Sequence, residues 1–489
     1  MGAANSQPSE TDFNGDMNAG GITAIRCEGW TVPKCVRSWS SSAVVCSDEV
    51  VVPPPGPDQV RVKVFAAGVN PIDVKRITFG ASGIRGLFRW GGSNGNNGSS
   101  NMATLVNSKR HPSPTFPFPY VMGIDGAGVV ESVGWSSDDT ERQQKYNLQV
   151  GDRVAFLADI TSAHGGSFCQ YAVVHADAVG KIPPPTKEDI IDFVEAAAIP
   201  TAVGTAYVAL FDKLSVQPGR SIFISGASGG VGSAAVQLAK YAGLCVLASC
   251  STVNVSYVRE ELGADHVFDY TAVDVVEECL KRTMGFGVDY VLEVADAGLA
   301  VQHAEALRFG GSICVLPGLI PHTSDIFFRQ QLTLSYVCLS GLYGHPITRE
   351  NVRRVIEVSL ALYQSGAFRF PLLETVPVER AETALEIVST GHARGKIVLT
   401  DYHPPENEKE RKDSQVIGTR RRSSMKKYHL AGTSASANTT VNAGANANIN
   451  INVDIGASAT TGPVSTSQDP KVTAAALAAA AQISAIATS

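Results

Sequence analysis

Ser221–Gly232 reads SIFISGASGGVG and runs directly into SAAVQLAKYAG, Ser233–Gly243. A short apolar strand feeding a glycine turn and then a helix aims backbone N–H groups and the positive helix end at one spot, which suits a pyrophosphate. Ala227, Gly229 and Gly232 take the three fingerprint positions, with alanine where the commoner pattern has its first glycine. A glycine turn alone is weak evidence, since ordinary tight turns use the same residue. Here a second apolar run, LCVLAS (Leu244–Ser249), follows at the spacing of a βαβ unit, and the reading becomes a dinucleotide site.

The end of that second run bears on which dinucleotide. An NAD site places Asp or Glu there to hold the ribose 2′-hydroxyl, and a carboxylate repels a 2′-phosphate. The chain reads Ser249-Cys250-Ser251-Thr252 instead, with Arg259 on the segment that follows. Hydroxyls can bond to a phosphate, so Ser249 and Ser251 are candidate ligands and NADPH is the expected cofactor.

Further out, helical and strand patterns alternate from about residue 189: EAAAIPTAVGTAYVALF, SIFIS, SAAVQLAKYAG, LCVLAS, VSYVREELGA, HVFDY, VDYVLEVA and GSICVLPG. That succession predicts a parallel α/β sheet. The preceding part reads differently. Val60–Ala66 alternates as a half-buried strand does, and Asp152–Phe156 and Cys169–Val174 are similar short β segments.

Composition narrows the function class. With 44% hydrophobic and 18% charged residues the 489-residue chain can fill one or two cores, and a net charge of −6 gives no field that gathers nucleic acid. Nine cysteines without a CxxC pair suit neither a disulfide framework nor a zinc ribbon, and read as reduced thiols. No apolar run reaches the length of a membrane span. The expectation is a soluble cytoplasmic protein, with membrane association or an organellar address left open. MGAANS matches the N-myristoylation pattern at Gly2, a weak anchor without a second signal beside it.

Residues 1–21 and 402–489 hold few large apolar side chains and are expected to be disordered tails. The patch RRRSSMKK within the second is a solvated linker, a kinase site or a nuclear address. Gly91 onward, GGSNGNNGSSN, marks a flexible insertion over about 81–115, which costs little because loop-closure entropy grows only with the logarithm of length.

GVNPIDV, FPYVMGIDGAGVVESVG, VGDRVAF, GGSFCQYAVV, PTAVGTAYVAL, GASGGVG, LGADHVFDY and GHARGKIVL occur in that order. Together they resemble the zinc-free quinone oxidoreductase branch of the medium-chain dehydrogenase/reductase superfamily, including the reticulon-interacting mitochondrial reductases. The resemblance covers most of residues 22–401. It implies an α/β fold: a GroES-like β domain over 22–188, a Rossmann doubly wound parallel sheet over 189–345, and a return to the first domain over 346–401. A homodimer is implied by the same likeness.

The resemblance also assigns residues. Zinc-dependent relatives carry a cysteine in the loop after the early strand and a Gly-His-Glu later, where this chain has Asn70-Pro71-Ile72-Asp73 and Gly123-Ile124-Asp125, so no metal is expected. Asn70 and Asp73 take the family's place at the nicotinamide end of the cleft; an Asx-type turn in NPID is the plainer reading of the same residues. Thr205, Ser228, Gly230, Val231, Tyr270, Arg394 and Lys396 fall at positions that hold the cofactor, while Thr205, Tyr270, Arg394 and Lys396 read equally well as structural. Many relatives place an aromatic residue soon after Asn-x-x-Asp, where Val74-Lys75-Arg76 stands here, so the substrate mouth is expected to differ.

Without a Lewis acid the acceptor must already be electrophilic, which favours quinones and activated carbon–carbon double bonds over alcohols. The expected activity is NADPH-dependent reduction of a quinone or α,β-unsaturated carbonyl. The alternatives are an NADPH-binding regulator with little turnover and an enoyl-thioester reductase. Solvent or Tyr343 is the candidate proton donor.

Overall fold

The computed structural model describes residues 22–36, 38–79, 118–186, 190–320, 325–344 and 346–403. Gly2, the insertion expected over 81–115 and the tail from 404 onward lie outside the described residues, whereas Tyr402, expected to begin that tail, is buried in the hydrophobic core. In chain order the first strands are β1 (Ile25–Val32), β2 (Val45–Val52), β3 (Gln59–Val69), β4 (Tyr120–Val121), β5 (Asp125–Val133), β6 (Arg153–Leu157), β7 (Tyr171–His175) and β8 (Val179–Lys181). There follow β9 (Ser221–Ile224), β10 (Cys245–Cys250), β11 (His266–Asp269), β12 (Val288–Glu293), β13 (Leu307–Val315), β14 (Thr333–Tyr336), β15 (Leu373–Pro377) and β16 (Lys396–Thr400).

The alternation in β3 does what a period of two requires: Val60, Val62, Val64 and Ala66 are all fully buried on one face. Arg61, on the other face, is also buried because Glu131 takes its guanidinium through two hydrogen bonds of 2.7 and 3.1 Å. The strand lies at the centre of a sheet ordered β15-β16-β3-β5-β6-β8, with β7 also on β3. Its pairings are antiparallel except β15 with β16, and β16 from the end of the chain sits beside β3 from its beginning. A smaller sheet, β2-β1-β4, packs alongside; Trp30 on β1 donates its indole N–H to Val378 O at 2.7 Å.

The second large sheet runs β11-β10-β9-β12-β13-β14 and is parallel throughout. Ile222, Phe223 and Ile224 of β9 are buried on both faces, which is why the strand is continuously apolar rather than alternating. Strand order reverses between β9 and β12. In a doubly wound sheet that switch point opens a crevice at the carboxyl ends of the strands.

Two helices differ from their expected form. EAAAIPTAVGTAYVALF does not make one helix: Phe193–Ala198 ends before Ile199 and a new helix, Pro200–Tyr207, starts with proline at its first position. Proline has no N–H to continue the first helix and is suited to begin another. VSYVREELGA follows a short 3-10 turn, Thr252–Asn254, and is itself wound into a wide turn over Tyr257–Glu261.

Candidate active site

The turn after β9 lies at the switch point. Gly226 takes φ +59°, a conformation open to glycine at little cost, and the chain then lifts into the helix Gly230–Tyr241 with Gly229 as its N-cap. Gly229 contributes no capping side chain, so the first N–H groups of that helix are left for another acceptor. Ala227 is fully buried, and its N–H reaches Ser249 O at 3.0 Å, which ties the turn to β10.

The two fingerprint glycines stand in different surroundings. A Cβ on Gly232 would stand 2.2 Å from Gly226 O and 2.8 Å from the Ala227 Cα, so the protein's own backbone excludes it. A Cβ on Gly229 would meet nothing nearer than Gly226 O at 3.6 Å, an ordinary contact. The protein's own atoms leave room at Gly229 that they do not leave at Gly232.

The first sheet reaches the same turn. Gly395, just before β16, donates its N–H to Ser228 O at 2.9 Å and pairs with Gly229 in an isolated parallel bridge. The would-be Cβ of Gly230 lies 3.0 Å from the Lys396 Cδ. Val231 is half-buried at the start of the helix.

Lys396 continues inward. Its Nζ donates to Asn70 Oδ1 at 2.8 Å and to Val69 O at 3.2 Å, and lies 3.6 Å from Asp125 Oδ2. Asn70 Nδ2 donates to Asp125 Oδ2 at 2.9 Å and to Gly68 O at 3.2 Å. The other Asp125 oxygen accepts from the Thr201 N–H at 3.0 Å and its hydroxyl at 2.6 Å. The break at Pro200 matters here, because it leaves Thr201 with a first-turn N–H to give away. Asp73 Oδ2 accepts from the Asn70 N–H at 2.8 Å, a carboxylate in the first turn of the helix Pro71–Phe79 satisfying its N-cap.

Asn70, Asp73, Asp125 and Lys396 are all buried. Burial pushes the Asp73 carboxyl up to about 7, with the Asp125 charge adding to the rise. It also raises Asp125 and lowers Lys396, and the attraction between those two opposes both shifts.

At the far end of the crevice, Ser249 is buried and Ser251 half-buried, its hydroxyl accepting from Asn254 Nδ2 at 3.0 Å. Thr252 donates to Asp269 Oδ2 at 2.5 Å, so a carboxylate stands at the tip of the neighbouring β11 although β10 carries none. Arg394 is exposed, its guanidinium carbon 5.5 Å from the centre of the Tyr257 ring. Tyr270 is half exposed, its N–H bonded to Cys250 O at 3.2 Å. Thr205 is half-buried one helical turn beyond Thr201 and on the same side. Tyr343 is buried with its hydroxyl donated to Leu157 O.

The sequence did not point to Asp125, Thr201 or the trio Ser225, Glu293 and His303. Glu293, at the end of β12, accepts from the Ser225 hydroxyl at 2.6 Å and from the N–H groups of Ala295 and Asp296 at 2.8 and 2.9 Å. Its other oxygen pairs with His303 Nδ1 at 2.5 Å. This shapes the loop whose Ala295 Cβ faces Gly226. An acidic residue closing an apolar strand at the switch point was the available signal.

Residues 56–184 match the alcohol dehydrogenase GroES-like domain family, and residues 262–399 the zinc-binding dehydrogenase family. The chain belongs to the medium-chain dehydrogenase/reductase superfamily. Among superfamily members, quinone oxidoreductase of Sus scrofa is 29% identical over 353 residues, spanning 72% of this chain and 92% of that one. A highly reducing polyketide synthase of Emericella nidulans is 28% identical over 366 residues, which is 72% of this chain but 12% of the synthase. An alcohol dehydrogenase superfamily protein from Novosphingobium aromaticivorans has the same fold, with a TM-score of 0.61 at 24% identity, covering 76% of this chain and 99% of that one. A mycobacterial protein structure complexed with NADPH matches at a TM-score of 0.59 and 20% identity, with coverage of 76% and 99%. The chain is thus an oxidoreductase of this superfamily on a dinucleotide-binding fold. Among the described residues no helix is long and apolar enough to cross a membrane.

Proposed function

We propose that this protein reduces a quinone or an α,β-unsaturated carbonyl with NADPH and without zinc. The observation that carries the reading is the Gly395–Lys396 run, which joins the glycine turn to the Asn70 amide. It sets a dinucleotide cradle directly against a polar constellation containing an ammonium group. Lys396 stands 3.6 Å from Asp125 at the positions where zinc-dependent relatives hold their metal, and a second cation there would be repelled.

The open N-terminus of the helix Gly230–Tyr241, with the N–H groups of Gly230 and Val231, would take the pyrophosphate, while the Gly229 N–H closes the turn on Gly226 O at 3.2 Å. Ser251 and Arg394 would meet the 2′-phosphate, and Thr205 and Tyr270 would flank the cofactor. When bound, NADPH supplies the hydride. Asn70 is fixed by Lys396, Asp125 and Gly68 and would orient the reacting end, while Asp73 positions Asn70 by holding its N–H. The acceptor gains one hydride from the cofactor and one proton from water, ending as hydroquinone or saturated carbonyl.

NADPH oxidation with a panel of quinones and enals, before and after exhaustive chelation, tests this. Turnover unchanged by chelation is expected. No turnover with any acceptor, or activity restored only by zinc, overturns the reading. The polyketide synthase relatives favour one second reading, enoyl-thioester reduction, and an acyl-thioester in the same panel distinguishes it.

A further inference from the structure

Away from the crevice, β1 and the segment leading into β7 bring two thiols together. Cys27 Sγ lies 3.4 Å from Cys169 Sγ, and both residues are buried. The approach is held by the backbone on either side. Trp30 N–H donates to Phe168 O at 2.8 Å, Gln170 N–H donates to Glu28 O at 3.1 Å, and Gly29 pairs with Cys169 in an antiparallel bridge. A Cβ on Gly29 would stand 2.8 Å from the Cys169 sulfur, so the absence of a side chain there leaves the sulfur its place beside Cys27.

The two sulfurs are not equivalent. The hydrogen bond from Cys169 pushes the Cys27 thiol down, against the effect of its burial and with help from the nearby Arg61 charge. The same bond and burial push Cys169 well up. Cys27 is the better thiolate and Cys169 the better reservoir of a proton.

We propose that Cys27 and Cys169 form a redox modification site that a hydroperoxide converts to a disulfide. The Cys27 thiolate attacks one peroxide oxygen; the O–O bond breaks, leaving Cys27 as a sulfenic acid and releasing hydroxide. The Cys169 sulfur then attacks the Cys27 sulfur; the S–S bond forms, the S–O bond breaks, and the oxygen leaves as water. With hydrogen peroxide, two thiols lose two electrons and the peroxide becomes two waters. The sulfurs must close from 3.4 Å to about 2.0 Å for the bond to form. The bond would brace the segment in which Ser167 N–H holds Gly123 O at 3.0 Å, two residues before Asp125.

The test uses the full chain, treated with hydrogen peroxide, alkylated under denaturing conditions and digested without reduction. The expected result is a Cys27 peptide linked to a Cys169 peptide, with both cysteines absent from the alkylated pool, the link being lost on treatment with dithiothreitol. The exposed Cys46, Cys245 and Cys338 report whether the oxidant acted. Recovery of Cys27 and Cys169 as separate alkylated peptides, from protein whose exposed thiols have been oxidised, overturns the proposal.

Discussion

Gly395 and Ser228 are joined by a backbone hydrogen bond of 2.9 Å, and it links the last strand of one sheet to the turn that opens the helix of the other. Gly395 has φ +59°, and a Cβ there would lie 2.1 Å from Leu372 O. Gly395→Ala should therefore lose about 1–3 kcal/mol of stability. It should also weaken NADPH binding, read by urea denaturation and calorimetry on the same preparation.

The two fingerprint glycines should fail in different ways. A Cβ at Gly229 has room in the protein alone, so Gly229→Val should lose measurable NADPH binding with a smaller fall in melting temperature than Gly232→Ala. Gly232→Ala should lose about 1–3 kcal/mol whether or not cofactor is present, because its Cβ meets the Gly226 carbonyl. Equal NADPH affinity for Gly229→Val and the parent would remove the cofactor from this turn.

Asp73 makes a pH prediction. Its carboxyl is raised by burial to about 7 in the folded chain, against an ordinary value near 3.8. The folded state then binds a proton that the unfolded state has released, so stability falls as pH rises between those values and is flat above them. The shift corresponds to about 4 kcal/mol at most. Asp73→Asn imitates the protonated acid and should lack this slope. Urea denaturation at pH 5 and pH 8 should show the variant gaining on the parent at the higher pH.

Lys396→Met would take the donor from Asn70 Oδ1 and the neighbouring cation from the buried Asp125, and should cost about 3–5 kcal/mol. The double variant Lys396→Met/Asp125→Asn should be less damaged than the single one. A double-mutant cycle that proves additive would mean that the two side chains do not interact.

Cofactor choice should turn on the end of β10. Ser251→Asp places a carboxylate beside the proposed 2′-phosphate and should weaken NADPH by about tenfold or more, with less effect on NADH. Fluorescence titration with both nucleotides measures it. A parent protein that already prefers NADH would point to Asp269, one strand away, as the residue that sets the choice.

The strand, turn and helix of the dinucleotide site were legible because they are contiguous and obey local rules. β3 was legible for the same reason, its alternating valines having one buried face. β1 and β2 were not read as strands: IRCEGWTV does not alternate cleanly, and its pairing with β2 slips between Cys27 and Gly29. The break at Pro200 was overridden by the helical pattern on both sides of it. Within the site, NPID and GKIVL were singled out by resemblance, but the bond between Asn70 and Lys396 spans 326 positions, and that between Thr201 and Asp125 spans 76. Such pairings depend on which strands lie side by side. Periodicity along one segment carries no record of that.

The unequal crowding at Gly229 and Gly232 has a consequence for descent. Any lineage that keeps this fold gains stability by keeping Gly232, since the neighbouring backbone crowds any side chain there. On the proposed function, only a lineage that still binds the dinucleotide has reason to keep Gly229. A descendant that abandoned the dinucleotide would let Gly229 drift to alanine or serine while Gly232 stayed fixed, so the pair reads out, from sequence alone, whether selection still acts on binding or only on the scaffold.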